Sequence, residues 1–394
     1  MPRCVLIVRQ AYYPENLRFQ DQAQHLAAHG SEVVVLSLRR PNQPTREVLD
    51  GVTVHRVPMS WARRGPVIYA IQYLLFCLFA FGFLSLYSIR RRVHAVLVSN
   101  LPDILVFCAL VPKIMGARVV LDIRDPMPET LATRYSLNQT GVLYRLAVLE
   151  EQISCAFADG VLSVHEPILR LLERRGVPAR KLWVLYNLPD PAEFYPRRDR
   201  TPRTGDQAGP NLVFHGTIAN RFGIDTAIEA VCHLRESFPG VHLSIFGEGE
   251  ALPHLRRFAR DRGVDDRVTF HDFQSASVIS QALSKADMGI IPHLRTPGMD
   301  IVLPTKLLEC MSCGLPAIVT RNPVMEELVP EDAVRFFVAG DTAALVRAVE
   351  DLYRRPDQAD KIADAGLQWI TGIRHCRYQN GFADWMLFGT GQAA

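Results

Sequence analysis

At 394 residues the chain is long enough for two domains of ordinary size. Its 48% hydrophobic and 22% charged residues are those of a folded protein with large cores, and a net charge of +3 is too small to point to nucleic acid. The 8 cysteines are scattered, and Cys310 and Cys313 lack a second pair or a histidine at ligand spacing, which argues against zinc and against a disulfide framework and suits a reducing compartment.

The first half alternates strand and helix signals. Cys4 to Val8 is a continuous apolar run of buried-strand type, too short for a secretory leader, with Gln10 and Glu15 following soon. Tyr12 to Glu15 read as a loop, and a helix is predicted over Arg18 to Ala28, stopping at Gly30. Glu32 to Leu38 and Val52 to Val57 are the next strands. Such alternation predicts an α/β fold with a doubly wound parallel sheet, whose ligands bind at the carboxyl ends of the strands.

Val67 to Ile89 holds 23 residues without a charge, with Arg63 and Arg64 before it and Arg90, Arg91 and Arg92 after it. At about 1.5 Å per residue a helix of that length matches a bilayer core of about 30 Å. A crossing is opposed by topology. His94 to Ser99 and Arg118 to Ile123 look like strands of the same sheet as Cys4 to Val8, and one crossing would separate them. A long buried helix and a helix lying in the membrane plane both remain open. The basic clusters at its ends favour contact with anionic lipid.

Asp122 to Thr130, reading DIRDPMPET, places polar residues where a strand ends. Asp125 is either a functional carboxylate or the cap of the next helix, with Arg124 as its partner. Leu143 to Ala158 is a helical pattern bearing Glu150 and Glu151, and His165 follows a further strand as either a site residue or an ordinary loop histidine. Lys181 to Pro196 reads as a hinge and Arg197 to Pro210 as a linker, so a second domain is predicted to begin at Asn211. Leu212 to Val231 is then a strand, a glycine turn and a helix, and Val241 to Leu255 and Gly263 to Phe273 repeat the strand signal.

The stretch Pro304 to Pro316, PTKLLECMSCGLP, is the most informative. Pro304 and Thr305 suit the start of a helix, Lys306 its first turn, and Glu309 lies one turn along the same face. Gly314 and Pro316 mark its end. A helix N-terminus, a cation and a carboxylate in this order can hold a diphosphate and a ribose. The spacing equally fits an amphipathic helix on which Lys306 and Glu309 form a solvated pair.

This stretch resembles the nucleotide-sugar site of retaining glycosyltransferases of the GT-B fold, glycosyltransferase family 4, in their P-[ST]-K-x-x-E form. Ile301 stands where many members carry a first glutamate. The resemblance covers most of the chain, its segments falling in the same order. It implies two Rossmann-like domains facing a central cleft. Residues 1–196 would form the acceptor-side domain, 197–210 the linker, 211–374 the nucleotide-sugar domain, and 375–394 a helix packing back on the first domain. On the donor side it implies Gly216, Thr217, Arg221, Gly247, Phe273, Asp300, Ile301, Val302, Leu303, Thr305, Lys306 and Glu309. Thr217 and Phe222 replace the usual arginine and lysine of the diphosphate loop, and Arg221 would supply a cation. On the acceptor side it implies Glu15, Asn16, Arg18, Glu129 and His165. Asp125 would orient the acceptor hydroxyl or serve as base. Arg124 would contact phosphate or sugar, and Lys306 and Arg221 would steady the leaving diphosphate.

The expected reaction is therefore transfer of a sugar from a UDP- or GDP-linked donor, with retention and without a metal or other cofactor. The acceptor is expected to be a saccharide, lipid-linked in polysaccharide or glycolipid synthesis, and no nucleic acid is involved. Alternatives are a sugar-nucleotide epimerase or a noncatalytic membrane-bound scaffold of the same fold. The expected location is the cytoplasmic face of a membrane, peripheral or monotopic, or the cytoplasm if residues 67–89 are buried.

Overall fold

The structure is a computed structural model and describes residues 2–15, 17–59, 65–196, 209–379 and 381–390. Arg63, Arg64, Asn16 and most of the expected linker lie outside the described residues. The chain divides into two compact units, Met1–Asn187 with Cys376–Ala394, and Leu188–His375.

The first unit opens with β1 (Arg3–Tyr12), α1 (Leu17–Ala28), β2 (Ser31–Leu38), β3 (Arg46–Leu49), β4 (Val52–Val57), α2 (Gly65–Arg90) and β5 (Ala95–Ser99). It continues with α3 (Leu110–Ile114), β6 (Arg118–Ile123), α4 (Met127–Tyr135), α5 (Val142–Phe157), β7 (Gly160–Ser163), α6 (Glu166–Arg174) and β8 (Leu182–Val184). The sheet order is β3-β4-β2-β1-β5-β6-β7-β8, parallel except for β3 against β4. The central run of β1, Cys4 to Val8, is apolar and buried because both its faces are covered. The strand period of two sends Leu6 and Val8 toward Phe76, Ala80 and Leu84 of α2, and Val5 and Ile7 toward Phe19, Ala23 and Leu26 of α1. Each of the fully buried Val, Leu, Ile and Phe side chains among them contributes about 1.5–3 kcal/mol.

α2 buries only one stripe. Phe76, Ala80 and Leu84 are 0% exposed, whereas Ile71, Leu74, Leu78 and Ile89 are 51%, 59%, 60% and 67% exposed. Of the readings left open for this stretch, the long buried helix is not what the structure contains. Because α2 joins β4 to β5, two strands of one sheet, a crossing is also opposed by connectivity.

The second unit contains β9 (Asn211–His215), α7 (Ile224–Ser237), β10 (His242–Phe246), α8 (Leu252–Asp261), β11 (Val268–His271), α9 (Ala276–Lys285) and β12 (Met288–Ile291). After these come α10 (Thr305–Ser312), β13 (Ala317–Thr320), α11 (Pro323–Leu328), β14 (Arg335–Phe337), α12 (Thr342–Arg354) and α13 (Pro356–Gln379), which runs past the boundary of the unit. The sheet is wholly parallel, in the order β11-β10-β9-β12-β13-β14. β9 pairs with β10 on one side and β12 on the other, so the strand order reverses between β9 and β12. That reversal opens a crevice at the carboxyl ends of these two strands. The last helix, α14 (Phe382–Phe388), belongs to the first unit, where Trp385 stacks on Trp183 at 5.1 Å between ring centroids.

Candidate functional site

The crevice of the second unit collects the residues of the PTK motif. α10 starts at Thr305 after Pro304, and no side chain caps it, so its first turn presents backbone N–H groups. Thr305 is exposed, whereas Lys306 is buried. The Lys306 Nζ stands 4.1 Å from the centroid of the Phe214 ring and 4.3 Å from that of Phe222. It has no hydrogen-bond partner among the described residues. Burial pushes this ammonium down to about 7, against the pull of Glu309. A cation held by two aromatic faces and by no carboxylate is poised for an anion that the fold itself does not supply.

Glu309 does not pair with Lys306. Its carboxylate is hydrogen-bonded to Nε2 of His215, the last residue of β9. The solvated Lys306–Glu309 pair is therefore absent: one member is buried and the other is held by a histidine. Gly216 follows, its N–H bonded to the Phe246 carbonyl at 2.9 Å, and a Cβ there would lie 3.4 Å from the Lys306 Nζ. Gly216 and Thr217 are both exposed beside the lysine. Gly247 has φ +136°, and a Cβ would stand 1.9 Å from the Gly216 carbonyl oxygen, so only glycine lets the two loops meet.

Arg221 is half exposed, stacks on Phe222 at 4.6 Å and lies 4.0 Å from Glu250. Asp300 is taken by Arg295 in an ion pair. Ile301, Val302 and Leu303 form a half-buried approach to α10. Phe273 is 76% exposed beyond β11, near the stacked pair of Phe246 and His271, whose rings lie 4.2 Å apart. Two histidines of this crevice escape a motif-based reading. His215 is one. The other is His293, which follows β12 and packs on Phe222 at 4.9 Å. A lone histidine after an apolar strand carries no pattern; burial and partners reveal it.

In the first unit the expected residues divide into interior ones, Arg18, Glu129 and His165, and exposed ones, Glu15 and Asp125. Arg18 is 1% exposed and is bound at both ends of its guanidinium. It donates to Asp122 at 2.8 and 3.3 Å and to the Leu185 carbonyl, while Gln22 donates to Asp122 at 3.1 Å. Arg18 is thus a buried support under β6. Burial raises the Asp122 carboxyl, but Arg18 and Arg124 more than reverse this and hold it well below the usual range. Arg124 donates to Asp122 at 3.3 Å.

Asp125 is exposed just past β6. Its carbonyl accepts from Asn100 Nδ2 at 2.8 Å, and the Arg124 N–H donates to Asn100 Oδ1 at 3.0 Å. It does not cap α4, where Pro126 takes the cap position and no side chain caps the helix. Glu129 is 4% exposed and accepts from Tyr144 at 2.5 Å and from Arg175, so it pins α4 to α5 and does not face solvent. His165 is 1% exposed at the start of α6 and is likewise inside the unit. Glu15 is exposed and pairs with Arg40. Among the described residues no group of three His, Cys, Asp or Glu is placed to hold a metal ion.

Comparison with known proteins matches residues 16–187 to the family described as glycosyl transferase 4-like domain and residues 209–355 to that described as glycosyl transferases group 1. A GDP-mannose-dependent alpha-(1-6)-phosphatidylinositol monomannoside mannosyltransferase from Mycolicibacterium smegmatis is 31% identical over 187 residues, 46% of this chain and 49% of that protein. The chain thus spans about half the length of the curated mycobacterial relatives it matches. Sucrose-phosphate synthase from Thermosynechococcus elongatus has the same fold, with a TM-score of 0.76 at 16% identity over 96% of this chain and 97% of that one. Anabaena HepE, solved in complex with UDP-glucose, has a TM-score of 0.70 at 16% identity over 95% and 97%.

Proposed function

We propose that this chain, whose two parts match glycosyltransferase family models and whose fold is that of GT-B glycosyltransferases, moves a sugar from a nucleoside-diphosphate donor to a saccharide acceptor. One observation carries the reading: a buried lysine without a partner, at the uncapped start of a helix, in the crevice where a parallel sheet reverses its order. Lys306 and the first-turn N–H groups of α10 hold the diphosphate, with Arg221 at the rim. Glu309, oriented by His215, takes hydroxyl groups of the donor. As the bond to the leaving diphosphate breaks, negative charge grows on its oxygens, and these preorganised donors stabilise it.

In this reading Asp125 orients the acceptor hydroxyl or takes its proton, and Arg124 contacts phosphate or sugar. Of the acceptor-side expectations Arg18, Glu129 and His165 act as supports for the first unit. Retention of configuration and independence of metal are part of the proposal. So is a lipid-linked acceptor met at the cytoplasmic face of a membrane through the exposed stripe of α2. The lipid acceptor named for the mycobacterial relative and the UDP-glucose bound to HepE support this choice of substrates.

The test is incubation with UDP- and GDP-sugars, with and without a polyprenyl-diphosphate-linked sugar. The expected result is product only when both are present, with the donor's anomeric configuration preserved by NMR. Donor conversion without acceptor, or donor left untouched in every mixture, overturns it.

A further inference from the structure

The diphosphate reading uses Lys306 but leaves His293 unexplained. His293 is 3% exposed, and neither ring nitrogen has a hydrogen-bond partner among the described residues. Leaving such a group unpaired forfeits the hydrogen bonds it makes in water, so its place in the core calls for a use. The backbone fixes it there. Leu294 N–H donates to the Arg221 carbonyl at 3.0 Å, and a Cβ on Gly223 would stand 2.1 Å from the Pro292 carbonyl oxygen. The segment carrying His293 is therefore locked against the turn carrying Phe222.

That turn brings two basic groups to one ring. Phe222 lies 4.9 Å from the His293 ring and 4.3 Å from the Lys306 Nζ. The charged or titratable groups facing them are Arg221 from the turn, and Glu309 and Cys310 from α10. The Glu309 carboxylate is already engaged by His215 of β9. No carboxylate among the described residues hydrogen-bonds to either base.

We propose that Lys306 and His293 form a proton-gathering pair at the diphosphate subsite, so that a nucleoside diphosphate binds there together with protons drawn from solvent onto the two bases. The inference rests on the donor-site reading above and adds His293 to it. Burial, then Lys306 and Arg221, hold the imidazole well below its ordinary range, and burial brings Lys306 down to about 7. A bound polyanion favours the charged form of both, so binding takes up protons and weakens as pH rises. His293 then presents a cationic N–H to the anion beside the lysine.

Calorimetry with UDP and GDP, at about pH 8 in two buffers of different ionisation enthalpy, tests this. At that pH a terminal phosphate with a second pKa of about 6 is fully ionised and gives up no proton. The wild-type chain is expected to take up about one to two protons per diphosphate bound. His293→Gln keeps a donor but cannot be protonated there. It should lose about half a proton or more and bind about tenfold more weakly. His293→Phe keeps the packing on Phe222, removes both unpaired nitrogens and should show the same loss; thermal melting verifies that each variant is folded. Binding without proton uptake, or uptake unchanged in whichever variant is folded, overturns the pair and leaves the donor site standing. If the wild-type chain binds neither nucleotide, the donor site and the pair fall together.

Discussion

The carboxylate of Glu309, one turn into α10, is hydrogen-bonded to Nε2 of His215, the residue that ends β9. The two come from elements 94 residues apart, yet each is placed by its own backbone: the strand end aims the imidazole into the crevice, and the helix face aims the carboxylate at it. This fixes the rotamer of a carboxylate that keeps 21% of its side chain exposed. A carboxylate so held can receive a ligand without first being ordered.

Removing Glu309 and removing its support should therefore differ. Glu309→Ala is expected to cut kcat/KM by about 100-fold, as loss of a substrate-contacting charge does. His215→Ala leaves the carboxylate present but loose, so the donor KM should rise about tenfold with kcat nearly unchanged. His215→Asn, which can still donate, should recover part of that loss. Equal falls in kcat for both alanine variants would deny His215 its positioning part.

Lys306 should show stability and activity moving in opposite directions. Its ammonium is buried without a hydrogen-bond partner among the described residues, held only by Phe214 and Phe222. Lys306→Met keeps the apolar stem and removes the desolvated charge. Its melting temperature is expected to match or exceed that of the wild-type chain. Sugar transfer should fall by about 100- to 1,000-fold, the scale for losing one preorganised donor to a leaving anion. A variant that melts lower and transfers normally would show that the lysine serves the fold alone.

Much of this was legible in the residues, and the gaps have physical causes. Val52–Val57 and Arg118–Ile123 form strands over the expected ranges, the first through the two-residue period of VTVHRV and the second through the apolar run Val119 to Leu121. β3 escapes because REVL sets two charges before two hydrocarbon residues and so shows no strand period on an exposed edge. The burial of Arg18 has a signal in the sequence: it lies four residues before Gln22, on the side of α1 that carries Phe19 and Ala23 into the core. Polar residues on the inner face of a helix imply a buried partner, here Asp122. Spacing on α10 gave Lys306 and Glu309 as neighbours, but whether they met each other, solvent or a third group depended on β9, whose approach no local pattern encodes.

The cluster beneath α5 yields a prediction about pH. Glu151 is 0% exposed and is bonded to Arg175 at 2.7 Å, and Arg175 also serves Glu129. Burial pushes the Glu151 carboxyl up to about 7 from 4.5, despite the opposing pull of Arg175. The folded state thus keeps the Glu151 proton to higher pH than the unfolded chain does. Its contribution is present in full below about 4.5 and is lost as pH rises through about 7. Glu151→Gln cannot ionise and still accepts from Arg175. Its melting temperature should gain on the wild-type chain between about pH 5 and pH 8, by at most about 3 kcal/mol in stability. A constant difference across that range would place the carboxyl in an ordinary environment.

The last prediction concerns α2. Ile71, Leu74, Leu78 and Ile89 follow one another at three-, four- and eleven-residue steps, so they form one outward stripe opposite Phe76, Ala80 and Leu84. A helix apolar on both sides has no use for water on the second. Arg90 and Arg92 are exposed at its end, and Arg91 reaches Glu32 at 2.9 Å. Anionic lipid would suit both features, the stripe entering the acyl boundary and the arginines meeting headgroups. Gln in place of Leu74, Leu78 and Ile89 together should abolish sedimentation with anionic vesicles and leave the melting temperature intact, because none of the three is buried. Arg90→Gln with Arg92→Gln should weaken binding by about 1 kcal/mol per charge, roughly fivefold each, and only where the vesicles are anionic. Raised salt should reproduce the arginine effect and spare the apolar one. Vesicle binding that ignores both sets of changes would leave the exposed stripe of α2 without a membrane role.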